Sequence, residues 1–208
     1  MKLIGLDAGS VSVKVIVLDQ KGNILYSFYQ RHRGQPLKAA LELLEKVRSQ
    51  ESGVRSLGIT DKKSELLPSH FSLSVTGSAG RLIGSILNIE PINEVVAHAC
   101  STLKLYPQIR TIIELGGEDS KLIILGKDLN SVKDFSMNSV CAAGTGSFLD
   151  QQAERLRLTI EYFSELSLKS RKPPRIAGRC SVFAKSDMIH LQQIATPVED
   201  IVAGLCFA

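Results

Sequence analysis

Long apolar runs are missing from this chain of 208 residues. No stretch approaches the ~20 consecutive apolar residues that a membrane helix needs, and the opening MKLIGLDAGS lacks the apolar core of a signal peptide. The four cysteines include no C-x-x-C pair, which argues against a zinc ribbon and against a thioredoxin-type site. We therefore expect a cytoplasmic protein with no membrane partner and, in that compartment, no disulfide.

Charge of one sign and aromatic side chains are also scarce. The net charge of +4 is too small to indicate a nucleic-acid partner. The densest basic stretch, Lys169–Arg179, holds five basic residues around two prolines, but no aromatic residues are interleaved with it, so we expect no stacking platform for single-stranded nucleic acid. We interpret this stretch as a solvated loop; docking to an acidic partner or to a phosphate-bearing substrate is the alternative.

The remaining composition, 44% hydrophobic and 22% charged, is ordinary for a soluble globular protein of one large domain or two small ones. One pattern occurs twice, because Leu6–Leu18 (LDAGSVSVKVIVL) aligns with Ile113–Leu125 (IELGGEDSKLIIL). In each copy an apolar strand ends in a carboxylate, turns through small residues and returns as a second strand. The aligned residues are Asp7 with Glu114, Gly9 with Gly116, Ser10 with Gly117 and Lys14 with Lys121.

Each copy contains the residue types of a phosphate-binding turn. Glycine permits a positive φ and a close approach of ligand to backbone, and consecutive N–H groups in such a turn form an anion-binding concavity. The carboxylate can hold a hydrated divalent cation, and the lysine offsets phosphate charge. For either copy alone, an ordinary β-hairpin is the alternative. The pair favours a duplicated domain with phosphate held between the halves.

Apolar periodicity and turn residues predict the elements of the first half. We predict strands at Leu3–Asp7, Ser12–Leu18, Ile24–Tyr29 and Phe71–Thr76, the first three as an antiparallel meander with a turn at Lys21–Asn23. We predict helices that begin at Pro36 and end before Gly53, that cover Arg81–Leu87, and that run from an Asn93 cap to about Leu105 with Val95, Val96, Ala99 and Leu103 on the apolar side. We interpret Arg55–Pro68 as irregular.

The second half repeats the opening and then becomes helical. We predict strands at Thr111–Glu114, Lys121–Leu125 and Val132–Ser136, with a turn at Gly126–Asn130. We predict helices that follow NSVCAAGTGSFLD to about Leu156, cover Glu161–Leu168, run from Cys180 to about Ile194, and begin with Thr196 as N-cap and Pro197 as the first residue. The last helix has no stop signal, so we expect the natural protein to continue beyond Ala208.

Two cysteines, Cys141 and Cys180, each come directly before a predicted helix. The positive end of a helix dipole lowers the pKa of a thiol and favours an anion there. Such thiolates suit a metal–sulfur cluster. A four-iron cluster normally takes four thiolates and one chain offers two, so two chains related by a two-fold axis would supply the full set. The alternative is that both are small buried hydrophobic residues, as we expect for Cys100 and Cys206. We expect His98 and His190 to be structural.

Six motifs occur in order along nearly the whole chain: LDAGSVSVK, TGSAGR, Glu94…His98-Ala99, ELGGEDSK, MNSVCAAGTGSFLD and CSVFAKSD. In these the chain resembles the ATP-dependent activases of 2-hydroxyacyl-CoA dehydratases and their benzoyl-CoA reductase relatives. The resemblance implies an α/β fold of the actin/Hsp70/sugar-kinase (ASKHA) type. It implies two ribonuclease H-like lobes, which we place at 1–107 and 108–208, the second being incomplete.

The same resemblance implies an ATPase coupled to electron transfer. It implies a homodimer that shares one [4Fe–4S] cluster through Cys141 and Cys180 of each chain, with ATP/ADP and Mg²⁺ as further cofactors. A donor such as ferredoxin or flavodoxin would supply an electron that is passed on to a partner dehydratase. The implied catalytic residues are Asp7, Glu118 and Asp119. The implied nucleotide-binding residues are Gly9, Ser10, Val11, Lys14, Glu114, Gly116, Gly117, Gly144, Thr145 and Gly146.

Three residues depart from the family pattern. Val11 stands where threonine is common, which removes a hydroxyl near phosphate, and Glu118 replaces glutamine, which adds negative charge beside the expected γ-phosphate. Glu114 replaces aspartate. The family's adenosine-side glycine motif does not lie within these 208 residues, and some longer relatives carry this module at the front of a larger chain.

The order of two motifs indicates how nucleotide and cluster would be coupled. Cys141 comes directly before the Gly144–Gly146 loop, so we expect ATP to shift the population of lobe arrangements and thereby to move the cluster helices. A small-molecule kinase of the same fold, with Asp7 or Asp119 near a substrate hydroxyl, is one alternative function. A nucleotide-switched assembly module without redox chemistry, its cysteines in the core, is the other.

Overall fold

The computed structural model describes residues 1–52, 71–126, 131–138 and 145–208. Packing divides the chain into two compact units. The first consists of Met1–Arg110 with Leu125–Lys133, and the second of Thr111–Ile124 with Asp134–Ala208. The lobes expected at 1–107 and 108–208 stay a prediction. The predicted irregular stretch Arg55–Pro68 and all but the first residue of the predicted turn Gly126–Asn130 lie outside the described residues.

The sheet of the first unit is an antiparallel meander extended by one parallel strand. Its strands are β1 (Lys2–Ala8), β2 (Ser12–Leu18), β3 (Ile24–Arg31) and β4 (Phe71–Thr76), in the spatial order β3-β2-β1-β4. β1 pairs antiparallel with β2 and parallel with β4. The predicted meander and the predicted fourth strand are both confirmed.

The turn between β2 and β3 is organised by one carboxylate. Asp19 accepts hydrogen bonds from the Lys21 backbone N–H at 2.8 Å, from the Asn23 backbone N–H at 2.9 Å and from the Asn23 side-chain amide at 2.8 Å. These bonds, the Asn23 side chain first, hold the pKa of Asp19 below its usual value. Gly22 has a φ of +85°, which glycine adopts without strain. The predicted turn is confirmed.

Three helices complete the first unit: α1 (Pro36–Ser52), α2 (Gly80–Leu87) and α3 (Glu94–Leu105). Apolar residues spaced three and four apart on α1 pack against the inward side chains of the sheet. The core so formed contains Ile4, Leu6, Val13, Val15, Val17, Leu43, Leu44, Val47, Val75 and Ile83. The Asn93 side chain caps α3 by accepting from the Val95 N–H at 2.9 Å, as predicted.

The outer face of α3 differs from the prediction. Val95 and Ala99, four residues apart, are buried. Val96 is 48% exposed, and Cys100 is also exposed. Both lie one position further along the helix and are therefore rotated by about 100° away from the buried stripe. Placing Val96 on the buried side was wrong, and so was expecting Cys100 to be buried.

The carboxyl ends of β1 and β4 are held together by a glycine. Gly77 has a φ of +99°, and a Cβ atom built on it would lie 2.3 Å from the Ala8 carbonyl oxygen. Two residues later, the Ala79 N–H donates to that same oxygen at 2.8 Å. The turn that follows β4 therefore rests on the last residue of β1.

The second unit contains a three-stranded sheet and four helices. The strands are β5 (Thr111–Leu115), β6 (Ser120–Leu125) and β7 (Val132–Met137), in the order β5-β6-β7, with β5 and β6 antiparallel. The helices are α4 (Gly146–Arg155), α5 (Ile160–Ser167), α6 (Ser181–Gln193) and α7 (Val198–Phe207). Their buried faces share a core that includes Phe148, Phe163, Met188, Ile201, Val202 and Leu205. All these elements were predicted.

α7 begins one residue later than predicted. Pro197, with φ −54° and ψ 139°, is the N-cap, and its carbonyl accepts from the Asp200 and Ile201 N–H groups at 3.1 Å each. No side chain caps this helix start, so the expected cap by Thr196 is wrong. Cys206, expected to be buried, is exposed because it lies on the outer side of the last turn of α7, next to the buried Leu205.

The basic stretch before α6 is a surface segment. All five of its basic side chains are exposed, which confirms the predicted solvated loop. Asp200 anchors its beginning by accepting from the Ser170 hydroxyl at 2.6 Å and from the Arg171 and Lys172 N–H groups at 3.2 Å each. These contacts, the Ser170 hydrogen bond first, lower the pKa of Asp200. Among the helices that the structure describes, none has both the length and the hydropathy of a membrane span.

Candidate functional site

The first copy of the repeated pattern forms a tight hairpin between β1 and β2, which we call hairpin 1 (Leu6–Leu18). Its register places Asp7 opposite Lys14, and the Lys14 Nζ lies 2.9 Å from the Asp7 Oδ2. The turn is closed by the Gly9 N–H, which donates to the Ser12 carbonyl at 3.0 Å. Both charged side chains remain accessible, because Lys14 is 48% and Asp7 is 38% exposed.

A histidine outside the pattern supports the turn of hairpin 1. The His32 Nε2 lies 3.1 Å from the Gly9 carbonyl oxygen, and the His32 backbone N–H donates to the Val11 carbonyl at 3.1 Å. Sequence reasoning missed this residue because it follows β3 and is separated from the repeated pattern by the whole of that strand. The available signal was its position at the end of β3, just before a glycine turn and a helix that starts with proline.

The second copy forms the hairpin between β5 and β6, which we call hairpin 2 (Ile113–Leu125). Glu114 stands opposite Lys121, and the Lys121 Nζ lies 3.0 Å from the Glu114 Oε2 and 2.9 Å from the Asp119 Oδ1. The Gly116 N–H closes the turn by donating to the Asp119 carbonyl at 2.8 Å. Lys121 is only 5% exposed. Both hairpins thus have a glycine-closed turn and a carboxylate–lysine pair across the strands.

Hairpin 2 also supports the start of a helix. The N–H groups of Gly146 and Ser147, the first two residues of α4, donate to the Gly116 carbonyl at 3.0 Å and to the Gly117 carbonyl at 2.8 Å. Thr145, the extended N-cap of α4, is buried. A Cβ atom on Gly146 would lie 3.3 Å from the Gly116 oxygen, which is closer than ordinary van der Waals contact and would need a small shift of the backbone. The turn of hairpin 2 and the start of α4 are therefore joined by two hydrogen bonds and a close backbone contact.

The two hairpins differ in formal charge. In hairpin 1, Asp7 and Lys14 cancel. Hairpin 2 has three carboxylates, Glu114, Glu118 and Asp119, against the one ammonium of Lys121, which leaves a formal charge of −2. A phosphate would be repelled from such a turn unless a cation lay between them.

The other predicted site residues fall into three places. Ser10 and Val11 form the turn of hairpin 1 and are partly buried, while Gly117 and Glu118 form the turn of hairpin 2. Thr145 and Gly146 contact or adjoin hairpin 2, as described above. Cys141 and Gly144 lie outside the described residues.

Cys180 has the predicted position at the start of a helix. It is the N-cap of α6, with φ −151° and ψ 123°, and is a partly buried free thiol. Two apolar side chains follow it, Val182 at 65% and Phe183 at 64% exposed. Within the described part of the chain, no group of three or more His, Cys, Asp or Glu residues is close enough to hold a metal ion. One chain's described residues thus offer a single thiolate ligand at this point.

The family model and similar characterised proteins point to the same group of ATPases. The BadF/BadG/BcrA/BcrD ATPase family matches residues 4–208. The activator of lactoyl-CoA dehydratase from Anaerotignum propionicum is 31% identical over 99% of this chain and 73% of its own length. The (R)-2-hydroxyglutaryl-CoA dehydratase activating ATPase from Acidaminococcus fermentans is 31% identical over 97% of this chain and 72% of its own length.

Solved structures agree with these sequence matches. The activator of 2-hydroxyisocaproyl-CoA dehydratase from Clostridium difficile with bound ADPNP covers 99% of this chain and 70% of its own, with 31% identity and a TM-score of 0.76. Component A of the Acidaminococcus fermentans (R)-2-hydroxyglutaryl-CoA dehydratase covers 99% and 73%, with 29% identity and a TM-score of 0.77. The predicted actin-like α/β fold class is confirmed. The chain belongs to the BadF/BadG/BcrA/BcrD ATPase family.

Proposed function

We propose that this protein hydrolyses ATP and uses the energy to transfer one electron to a partner 2-hydroxyacyl-CoA dehydratase or a related CoA-ester reductase. The family match and the names of the dehydratase activators support the ATPase and the partner. The observation that carries the nucleotide assignment is the pair of hairpins. They share one backbone geometry, but the charges of hairpin 1 cancel, whereas hairpin 2 has a formal charge of −2.

Hairpin 1 contributes the groups that bind phosphate directly. The exposed Lys14 ammonium is held beside Asp7 without being enclosed, so it can turn toward a phosphate oxygen. Within the described residues, the N–H groups of Ser10 and Val11 donate to no protein acceptor, so both can donate to phosphate. Asp7 is then in place to bind a water of the hydrated cation.

Hairpin 2 contributes the acidic side of the site. Glu118 is exposed on the turn, and Asp119 is 37% exposed although it contacts Lys121. These carboxylates would hold Mg²⁺ through its waters and orient the water that attacks the γ-phosphate. Gly117 lets the turn approach the ligand. Thr145 and Gly146 adjoin that turn and would follow its ligand-dependent shifts, and Gly144 stays a proposed nucleotide-binding residue.

Cys141 and Cys180 of two chains would hold the [4Fe–4S] cluster in a homodimer. Cys180 fits this role because its thiol is free and partly exposed, and because it caps the amino end of a 13-residue helix, where negative charge is favoured. When bound, the cluster supplies a single low-potential electron. A donor such as ferredoxin or flavodoxin would restore that electron in the cytoplasm.

The link between ATP and the cluster is the contact between hairpin 2 and α4. Gly146 and Ser147 donate to the turn that we assign to Mg²⁺ and the γ-phosphate, and Cys141 lies just before α4 in the sequence. Loss of the γ-phosphate would let this turn relax. The α4 start would relax with it, because its first two N–H groups have their acceptors in the turn.

One experiment tests both parts of the proposal. The intact protein is purified without oxygen, iron is counted, and Mg²⁺-dependent ATP hydrolysis is measured for the wild type, for Cys180→Ala and for the control Cys100→Ala. We expect about four iron atoms per dimer in the wild type and the control, and none in Cys180→Ala, which still binds ATP. Iron retained by Cys180→Ala would contradict the cluster assignment. Phosphoryl transfer to an added alcohol in place of hydrolysis would indicate a kinase.

A further inference from the structure

We propose that His32 is a positioning residue for phosphate binding, which holds the turn of hairpin 1 in the orientation that aims its N–H groups at the ligand. The inference rests on the proposed ATP binding and adds a side chain that lies outside both copies of the repeat. It is carried by the contacts of the imidazole ring with two separate turns.

The ring contacts determine which nitrogen carries the proton. The Gly34 N–H donates to the His32 Nδ1 at 3.0 Å, so Nδ1 is an acceptor. A neutral imidazole then has its proton on Nε2, which donates to the Gly9 carbonyl at 3.1 Å. Both nitrogens are satisfied, and the ring joins the turn after β3 to the turn of hairpin 1.

The turn after β3 is built to present this ring. Its central residues, Arg33 and Gly34, have φ values of +47° and +81°, and the Gln35 N–H donates to the His32 carbonyl at 2.8 Å. This geometry brings the Gly34 N–H back onto the ring of the residue two positions earlier. The left-handed conformation of Arg33 is uncommon for a residue with a side chain and is here part of a turn that fixes the ring.

Holding the Gly9 carbonyl orients the next N–H group. The peptide bond between Gly9 and Ser10 is trans, like every peptide bond described, so its C=O and N–H point in opposite directions. His32 binds the C=O, and the Ser10 N–H must then point away from His32. The His32 backbone N–H donates to the Val11 carbonyl and so holds the other end of the same turn. The turn thus keeps the Ser10 N–H aimed before phosphate arrives, which lowers the entropy lost on binding.

Hairpin 2 provides an internal comparison. Gly9 aligns with Gly116, and the Gly116 carbonyl is held at 3.0 Å by the Gly146 N–H. The same carbonyl of the repeat therefore has a donor in both copies, a helix start in one and an imidazole in the other. Since no described helix start donates to the Gly9 carbonyl, His32 fills the role that α4 has in hairpin 2.

Two substitutions distinguish the contact of His32 with Gly9, which is the positioning role, from its contact with Gly34 within the turn after β3. His32→Gln places an amide donor four bonds from Cα, as far as Nε2, but removes the acceptor for Gly34. His32→Asn keeps an acceptor three bonds from Cα, as far as Nδ1, but cannot reach Gly9. Affinity for Mg²⁺-ADP and Mg²⁺-ATP is measured by calorimetry on the intact protein, with the exposed His190→Gln as control. We expect about tenfold weaker binding by His32→Asn and binding within about threefold of wild type by His32→Gln.

A second readout does not need nucleotide. The ¹⁵N shifts of the His32 ring in the ligand-free wild type should report the proton on Nε2. Binding by His32→Asn equal to that of the wild type, impaired binding by His32→Gln alone, or a proton on Nδ1 would each overturn the inference and leave ATP binding standing. Failure of the wild type to bind either nucleotide would overturn the proposed function and the inference together.

Discussion

Hairpin 1 and hairpin 2 share strand pairing, turn closure and a carboxylate–lysine pair, yet their lysines are in opposite environments. Among the described residues, Lys14 is 48% exposed and pairs with one carboxylate, whereas Lys121 is 5% exposed and pairs with two. The second carboxylate comes from one aligned position, which is Ser12 in the first copy and Asp119 in the second. A second carboxylate encloses the lysine of hairpin 2 and makes it part of the structure, while the lysine of hairpin 1 stays available to a ligand.

The turns differ in the space around the glycine as well. A Cβ atom on Gly9 would lie 3.5 Å from the nearest atom, the Ser12 carbonyl oxygen. A Cβ atom on Gly116 would lie 2.7 Å from the Asp119 Oδ1 and 3.0 Å from the Asp119 carbonyl oxygen. The extra carboxylate that encloses Lys121 also fills the space beside Gly116. The two turns thus share one backbone geometry, while a single side chain changes what the turn tolerates.

The largest expected contrast is in stability when the two lysines are removed. Lys121→Met should lower the free energy of unfolding by about 2–3 kcal/mol, because it leaves two partly buried carboxylates without their cation. Lys14→Met should change it by less than about 1 kcal/mol, because Lys14 is itself 48% exposed and its single ion pair with Asp7 is screened by water. Denaturant unfolding measures both. Equal losses would show that the environments of the two lysines are the same in solution.

For ATP affinity we expect the opposite order, with a larger loss for Lys14→Met than for Lys121→Met. Lys14→Met removes a charge-assisted hydrogen bond to phosphate and should weaken ATP binding by about tenfold. Lys121→Met, measured where it is still folded, acts on ATP only through the shape of the turn. A larger binding loss for Lys121→Met than for Lys14→Met would contradict our assignment of the ligand-contacting lysine.

The next contrast concerns the glycines. Gly116→Ala should lower the free energy of unfolding by about 1–2 kcal/mol, since Asp119 must move to make room. Gly9→Ala should change it by no more than about 0.5 kcal/mol, because ordinary contact distances are kept. Thermal unfolding of the two variants side by side measures the difference. A costly Gly9→Ala would mean that hairpin 1 is as crowded as hairpin 2.

The smallest expected effect comes from the excess charge of hairpin 2. Glu118→Gln removes one exposed carboxylate and should strengthen the binding of ATP in the absence of Mg²⁺ by about threefold at low ionic strength, because without the cation this carboxylate only repels phosphate. The gain should shrink as salt is added, because exposed charges are screened. Glu165→Gln, an exposed change on α5, is the control and should have no effect. Weaker binding of Mg²⁺-free ATP by Glu118→Gln would contradict this charge effect.

Local pattern was enough to predict the strands and the repeat. Alternation with a period of two, together with a closed turn between Gly9 and Ser12, requires residues 7 and 14 to face each other across the hairpin. The same reasoning predicted the Asn93 cap and the position of Cys180 before α6. These features depend only on residues that are neighbours in sequence.

Features that depend on distant residues were missed. His32 contacts Gly9 across 23 positions, and nothing in either local pattern indicates that contact. Val96 and Cys100 are apolar enough to be buried, but of the residues of α3 only Val95 and Ala99 are buried. At α7 the local signal itself was ambiguous, because a proline can be the N-cap or the first residue of a helix. Tertiary packing decided each of these cases.

The contact of Gly77 with Ala8 has a consequence for the natural variation of this protein. A side chain of any size at position 77 would meet backbone atoms of β1, and these cannot rotate away as the end of a flexible side chain can. Every substitution of this glycine therefore pushes apart the ends of β1 and β4 beside the turn of hairpin 1. The backbone of β1 would have to shift to relieve this clash, so we expect no other residue to be tolerated at position 77 without a change in the main chain.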